Sequence, residues 1–417
     1  MRKIPAELCV KCKGYKLLCG LPSCPIMSRF RSLVNVARVL SSKDAITGST
    51  PPSGIVGERG YPNVRVIIGV PPEVTGAQAK EFEDPKGWWG RKSLNEIIEL
   101  RSSLVSAVIE NVKVNDPWKL YEKEISLAVA SKDPVQTEVI SKSNIVPKLR
   151  FDGVLVPRGP SLKAEEVKVD ENPKLSKKME SLIFDDVKAE DSVIELYQAG
   201  EDVYSIVPSL SMGLLGRRKS RKFVPTRWAI TAVDSIIGKH ILRKIQFFPE
   251  VNDITVYHSA YLGNRFFVVL FPSKYRGVWV EIWHPMSLWA DEVTVVDLYE
   301  NFWGEYDMLD GGYMAARFSV LEYLYNNVRQ AGFVIVREVT KEYFAPVGNW
   351  HIRETVKRAL RNPIFKAGSL EEAVKEVQSR LLVKVNLFEI PSVKKLVAQK
   401  EITGYFTTKS DRTDRAV

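Results

Sequence analysis

Beyond residue 24 the 417-residue chain contains no cysteine, and all four of its cysteines lie between Cys9 and Cys24. A secreted disulfide framework spreads its cysteines to staple distant parts of a fold, so this clustering argues against one. No apolar run approaches the roughly 18 residues that a membrane-spanning helix needs. Met1-Arg-Lys is followed by Ile4-Pro5-Ala6-Glu7, and no secretory leader is read there. The expectation is a soluble, intracellular protein with no membrane partner. Histidine is sparse: His240, His258, His284 and His351 are too dispersed to form a metal-ligand motif by spacing. Glutamine is scarce beside abundant Lys, Glu, Val and Ile, which leans towards a thermophile.

What the chain does have is positive charge, a formal +10 with a sequence pI near 9.2. A basic balance favours polyanion partners through counterion release and steering, although many soluble proteins are basic. Apolar residues make up 45% of the chain, enough for one large domain or two to three ordinary ones.

Periodicity gives the expected elements. Short helices are read at 28–40, 225–241, 349–360 and 369–381, and longer ones at 93–112 and 311–330. Strands are read at 64–70, 244–248, 254–258, 265–271, 278–283, 294–298 and 333–339. The five from 244 to 298 read as a meander-like antiparallel block. Helices and strands mix without strict alternation, so the expected class is α+β: a mixed, largely antiparallel sheet with packed helices, a small N-terminal zinc module and a flexible C-terminal tail. The boundaries are 1–28 for the module, 29–290 and 291–390 for the body domains, and 391–417 for the tail. The charged, weakly hydrophobic segment 157–191 is expected to be a mobile insertion or an exposed helix pair.

Cys9-Val-Lys-Cys12 and Cys19-Gly-Leu-Pro-Ser-Cys24 place four thiolates within a short stretch. A CxxC turn offers two ligands to a tetrahedral zinc ion, with Gly14, Gly20 and Pro22 shaping the rest. A segment this small has no core and would take its fold from the metal. Structural zinc is the leading expectation. Two disulfides and an iron–sulfur cluster remain open, since Cys24-Pro25 matches the ending of ferredoxin runs.

Near the other end, Gln399-Lys-Glu-Ile402-Thr-Gly-Tyr405-Phe406 fits the PCNA-interacting pattern: glutamine, an aliphatic three residues on, then two aromatics. A 3₁₀ turn repeats every three residues, so Ile402 and Tyr405 would align with Phe406 beside them as an apolar plug. Ser410, Asp411, Arg412 and Asp414 follow, which disfavours burial of the segment in the body.

For DNA the best contact candidate is the run Arg217, Arg218, Lys219, Ser220, Arg221 and Lys222, flanked by Gly213 and Gly216. A solvated loop is the equal alternative. Trp88-Trp89 could stack on bases, though core packing is the commoner fate. Asp307 and Asp310 precede Gly311-Gly312; they could hold Mg²⁺ for phosphodiester chemistry, or one could simply cap the helix that follows. Asp234, on an apolar helix face, suggests a buried pair with an arginine. Asp234 and Asp310 are the weak catalytic candidates. Glu281 and Trp283 should share one strand face with His284 on the other. Tyr313 and Arg317 should share a helix face.

Five strings are distinctive together: Gly57-Glu-Arg-Gly-Tyr-Pro-Asn-Val64, Trp88-Trp-Gly90, Val224-Pro-Thr-Arg-Trp-Ala-Ile-Thr-Ala-Val-Asp234, Gly311-Gly-Tyr-Met-Ala-Ala-Arg317 and Val336-Arg-Glu338. With them the chain resembles the archaeal Nre family of DNA repair proteins over most of its length. The resemblance implies a role in repairing DNA damage and binding to PCNA through Gln399, Ile402, Tyr405 and Phe406. It carries over no catalytic residue. The expectation is a clamp-recruited, nucleoid-associated DNA repair factor. The alternatives are a non-catalytic DNA-binding adaptor and a metal-dependent, nuclease-like enzyme acting on damaged DNA.

Overall fold

The computed structural model describes residues 45–141, 159–285, 287, 290 and 292–398. The four cysteines, the helix expected at 28–40 and the peptide Gln399 to Phe406 lie outside the described residues.

The described chain is α+β and contains three sheets. Two are small. Strands β1 (Ala45–Thr50), β5 (Val135–Ile140) and β7 (Glu166–Val169) form one, all antiparallel. Strands β2 (Gly54–Val56), β3 (Asn63–Val70), β4 (Val105–Lys113) and β6 (Ser161–Lys163) form the other, with β4 and β6 parallel. In β3, Val64, Val66, Ile68 and Val70 point inward at every second residue, the period of a strand with one face in a core. The segment expected as a mobile insertion or an exposed helix pair contributes two strands, β6 and β7. It also supplies helices α5 (Lys177–Phe184) and α6 (Ala189–Gln198).

The single helix expected at 93–112 is instead helix α2 (Leu94–Ser103), then β4. Ser93 and Glu96 close a capping box at its start. Past Ser103 the β-branched residues Val105, Val108, Ile109 and Val112 fit a strand better than a helix. The strand expected at 244–248 is corrected too. Helix α8 (Thr226–Ile245) runs on to Ile245, because Ile237, Ile241, Leu242 and Ile245 continue the buried helical stripe. Burying each such side chain contributes about 1.5–3 kcal/mol.

The large sheet has six strands in the order β11-β10-β12-β9-β8-β13. They are β8 (Ile254–Tyr261), β9 (Asn264–Phe271), β10 (Arg276–Trp283), β11 (Thr294–Glu300), β12 (Gly332–Val339) and β13 (Pro363–Ala367). It is not a meander, because β12 inserts between β9 and β10 and runs parallel to β10. Every residue of β12 is buried, as expected of a central strand covered on both faces. Helices α9 (Gly311–Asn326) and α10 (Trp350–Ala359) pack with α8 on one face. Helices α11 (Leu370–Ser379) and α12 (Pro391–Ala398) cover the other. One core joins the small sheets, α8, α9 and the inner face of the large sheet. Among the described residues no helix is long and apolar enough to cross a membrane.

Candidate functional site

The basic run divides on folding. Arg217, Arg218, Lys219 and Lys222 are exposed, while Arg221 is buried. The Arg221 guanidinium donates to the carbonyl oxygens of Gly216 at 2.7 Å, Ile183 at 2.6 Å, and Leu182 and Asp185 at 3.1 Å. Three of those carbonyls end α5, so Arg221 caps a helix C-terminus. Arg221 is therefore corrected from a DNA contact to a buried cap. Arg218 reaches the Phe184 carbonyl, and its N–H donates to Asp186 at 2.8 Å. The paired tryptophans also make contacts within the fold, Trp88 fully buried and Trp89 half-buried. Trp88 donates to the Glu81 carbonyl at 2.7 Å, and Trp89 donates to Thr355 at 3.0 Å.

Both catalytic candidates are committed within the fold. Asp234 is buried in α8, and its two oxygens accept from Nη2 of Arg353 in α10 at 2.6 Å. Burial raises the Asp234 carboxyl above its ordinary range, against the pull of the guanidinium. Asp234 in turn holds Arg353 well above the usual arginine value. Asp310 caps α9, accepting from the Tyr313 N–H at 2.5 Å. Among the described residues no three His, Cys, Asp or Glu side chains come together as a metal site. The histidines stay apart. His240 lies beside Gln198, His258 packs on Phe267, His284 meets Glu338, and His351 meets Arg337.

Three buried carboxylates gather the polar side chains of the large sheet. At the carboxyl ends of β10 and β12, Arg337 donates to Glu281 at 2.5 Å and to Asn264 at 2.7 and 2.9 Å. Its Nη2 lies 3.4 Å from His351 Nε2, while His351 Nδ1 donates to the Gly348 carbonyl at 2.7 Å. Burial, then the Arg337 charge, pull the His351 pKa down to about 3, so the ring is neutral at pH 7. On the opposite face Glu338 accepts from Arg265, from His284 at 2.9 Å and from the Leu382 N–H at 2.6 Å. Glu300, ending β11, accepts from Tyr275 at 2.9 Å, from Tyr313, and from Arg317 at 2.7–2.9 Å.

Each oxygen of these carboxylates accepts a hydrogen bond, Glu281 Oε2 from Trp283 Nε1 at 3.4 Å, so the arrangement locks strand ends together. Arg317 is accommodated by Gly238, where an added Cβ would lie 2.4 Å from its Nη1. The sequence singled out Glu281, Tyr313 and Arg317 but missed Glu300, Asn264, Arg337 and Arg353 as partners. The signal was a charge set inside an apolar run, as in Phe333-Val-Ile-Val-Arg-Glu-Val339.

A cavity of about 430 Å³ between α6, α8 and α9 is also self-balanced. Lys86 there pairs with Asp202, and Lys357 with Glu322 at 2.8 Å.

Two family models account for nearly the whole chain. The archaeal Nre N-terminal model matches residues 18–290, and the archaeal Nre C-terminal model matches residues 300–405. The chain belongs to the archaeal Nre family. A protein named DNA repair protein NreA from Archaeoglobus fulgidus is 35% identical over 382 residues, 89% of this chain and 93% of that one. DNA repair protein NreB of the same organism is 32% identical over 381 residues, 88% of this chain and 92% of its own. DNA repair protein NreA of Haloferax volcanii is 32% identical over 356 residues, 82% of this chain and 84% of its own. No solved structure matches. The division between the two Nre segments falls across the large sheet: β8, β9 and β10 precede residue 290, while β12 and β13 follow residue 300.

Proposed function

We propose that this Nre protein is a DNA repair factor brought to DNA by the sliding clamp PCNA through Gln399, Ile402, Tyr405 and Phe406. The observation that carries this reading is the peptide itself, Gln399-Lys-Glu-Ile402-Thr-Gly-Tyr405-Phe406, in a chain whose relatives are named DNA repair proteins. Its position supports the reading. Gln399 follows Ala398, the last residue of α12, and Val393 and Leu396 of α12 are buried against the large sheet. A clamp gripping the peptide would hold the body with almost no linker, which keeps its effective concentration at DNA high. Nucleoid association follows from the same tether. Cys9, Cys12, Cys19 and Cys24 would hold a structural zinc ion, for which four thiolates are a fitting donor set.

An adaptor that binds DNA and recruits others is favoured over a nuclease built on Asp234 and Asp310. Both side chains are already engaged, one by Arg353 and the other by the first turn of α9. The decisive test is capture of the full chain by immobilised PCNA. Tyr405→Ala/Phe406→Ala should lose capture, and undiminished capture of that variant rejects the tether. Metal analysis should find one zinc per chain, lost in Cys9→Ser/Cys12→Ser; visible-range absorbance from a brown sample would indicate an iron–sulfur cluster instead. A panel of damaged DNA substrates with and without Mg²⁺ separates adaptor from enzyme, and turnover abolished by Asp310→Asn with folding intact would reject the adaptor.

A further inference from the structure

The loop between β2 and β3 and the first turn of α8 put two large aromatic rings on the surface. Tyr61 and Trp228 are each 49% exposed, and their ring centroids lie 5.9 Å apart with planes tilted by 41°. The corner is held by named contacts. Thr226 Oγ1 accepts from the Val56 N–H at 2.8 Å and bonds Ser211 Oγ at 2.8 Å, tying the end of β2 to the start of α8. The Val114 N–H donates to the Pro62 carbonyl at 3.0 Å, and the Phe223 N–H donates to the Val114 carbonyl at 2.8 Å. Three chain segments therefore run side by side. They bring Lys222, next to Phe223, and Lys113, paired across the ladder with Asn63, towards the aromatic pair. Arg59 and Arg227 are exposed on the same loop and turn. Against these four cations stand Glu58, 3.5 Å from Arg227, and the exposed Asp116.

Two half-open rings held in place among cations suit one kind of partner better than others. Unpaired bases stack on aromatic faces while their phosphates pair with nearby Lys and Arg. In a duplex the bases are already stacked on each other, so the rings would gain little. A protein–protein interface keeps its apolar core broad and depleted of charge, whereas here four cations crowd two rings. We infer that this corner binds single-stranded DNA, with bases stacking on Tyr61 and Trp228 and phosphates lying against Arg59, Lys113, Lys222 and Arg227. The inference rests on the DNA-repair reading and narrows it to the form of DNA that the body holds. It also gives the exposed Lys222 a place in a surface rather than in an isolated run.

Fluorescence anisotropy of the full chain with a labelled oligothymidylate of about 20 nucleotides tests it, alongside a blunt hairpin duplex. Tyr61→Ala/Trp228→Ala should weaken oligothymidylate binding about tenfold or more and leave the duplex nearly unaffected. Trp303→Ala, at a 75% exposed tryptophan elsewhere, should change neither. Lys222→Ala/Arg227→Ala should reduce the slope of log affinity against log salt by about 1.4. Thermal melting checks that each variant folds, and Tyr61→Phe/Trp228→Phe should restore most of the binding. Equal binding by wild type and the alanine pair overturns the inference, as does wild-type preference for the duplex. Capture of a protein by this corner without any affinity for oligothymidylate overturns it too. PCNA capture with no oligonucleotide binding overturns it and leaves the tether standing. Aromatic-dependent oligonucleotide binding without PCNA capture does the reverse.

Discussion

The helix layer of α8, α9 and α10 and the corner around Tyr61 and Trp228 use positive charge in opposite ways. In the layer, Arg353 and Arg317 are buried and each is matched by one carboxylate, Asp234 and Glu300. At the corner, Arg59, Lys113, Lys222 and Arg227 face water, although Arg227 also has Glu58 at 3.5 Å. The paired charges cancel and fix geometry, so they add nothing to the field that a polyanion meets. Arg221 shows that neighbours in sequence can fall on both sides of this divide. Between exposed Lys219 and Lys222 it turns inward, and its hydrogen bonds go to four carbonyl oxygens. Composition counts cations; burial decides which of them a partner can reach.

The largest way to break the comparison is to remove one half of a buried pair. Asp234→Ala should cost about 3–5 kcal/mol of stability in denaturant unfolding, because it strands Arg353 without its counter-charge. Adding Arg353→Met should recover much of that loss. A loss in the double variant as large as in the single one would show that the pair itself, not a stranded charge, is what stabilises the layer.

Acid should act on the same region through His351. Its folded pKa is depressed to about 3, below the ordinary value of 6.5. The unfolded chain therefore takes up this proton first as pH falls. The contribution is fully present above about pH 6.5 and is lost progressively towards about pH 3, at about 1.4 kcal/mol per pH unit. Between pH 7 and pH 4.5 the wild type should lose about 2–3 kcal/mol more than His351→Gln, and parallel losses would reject this account.

Arg221→Ala should cost about 1.5–3 kcal/mol, since it uncovers buried carbonyls at the end of α5. Arg221→Lys should not rescue it, for an ammonium cannot span four acceptors in the plane of a guanidinium. Gly238→Ala should cost about 1–3 kcal/mol by pressing on Arg317, read as a shift in melting temperature. The smallest effect belongs to the corner's neighbour: Lys219→Ala should stay within about 0.5 kcal/mol of wild type.

Helices and strands with a single clear period were legible in the sequence. Asn63 to Val70 and Leu370 to Ser379 show their faces in the spacing of their apolar residues. The order of the large sheet was not, because period 2 says that β12 is a strand and nothing about which strands it joins. Val105 to Val112 read as helix because Leu104, Val105 and Val108 fall at the spacing of one helix face. Asp234 announced itself as a charge on an apolar face, yet Arg353 is distant in the chain and carries no local mark. Tyr61 and Trp228 meet only because Thr226 joins β2 to α8. The readings of the cysteine cluster and of the peptide Gln399 to Phe406 rest on spacing alone. Both segments fall outside the described residues.

The insertion of β12 between β9 and β10 also sets an order in time. A ribosome completes residues 254–283 well before it reaches residue 332. Until β12 arrives, the facing edges of β9 and β10 have no ladder to fill. Those edges are rich in Phe, Val, Trp and Ile, the composition that pairs with any passing strand. The nascent chain must therefore carry an unfinished sheet through the synthesis of its next fifty or so residues. The parallel crossover that makes the finished core continuous also makes its birth dependent on one late strand.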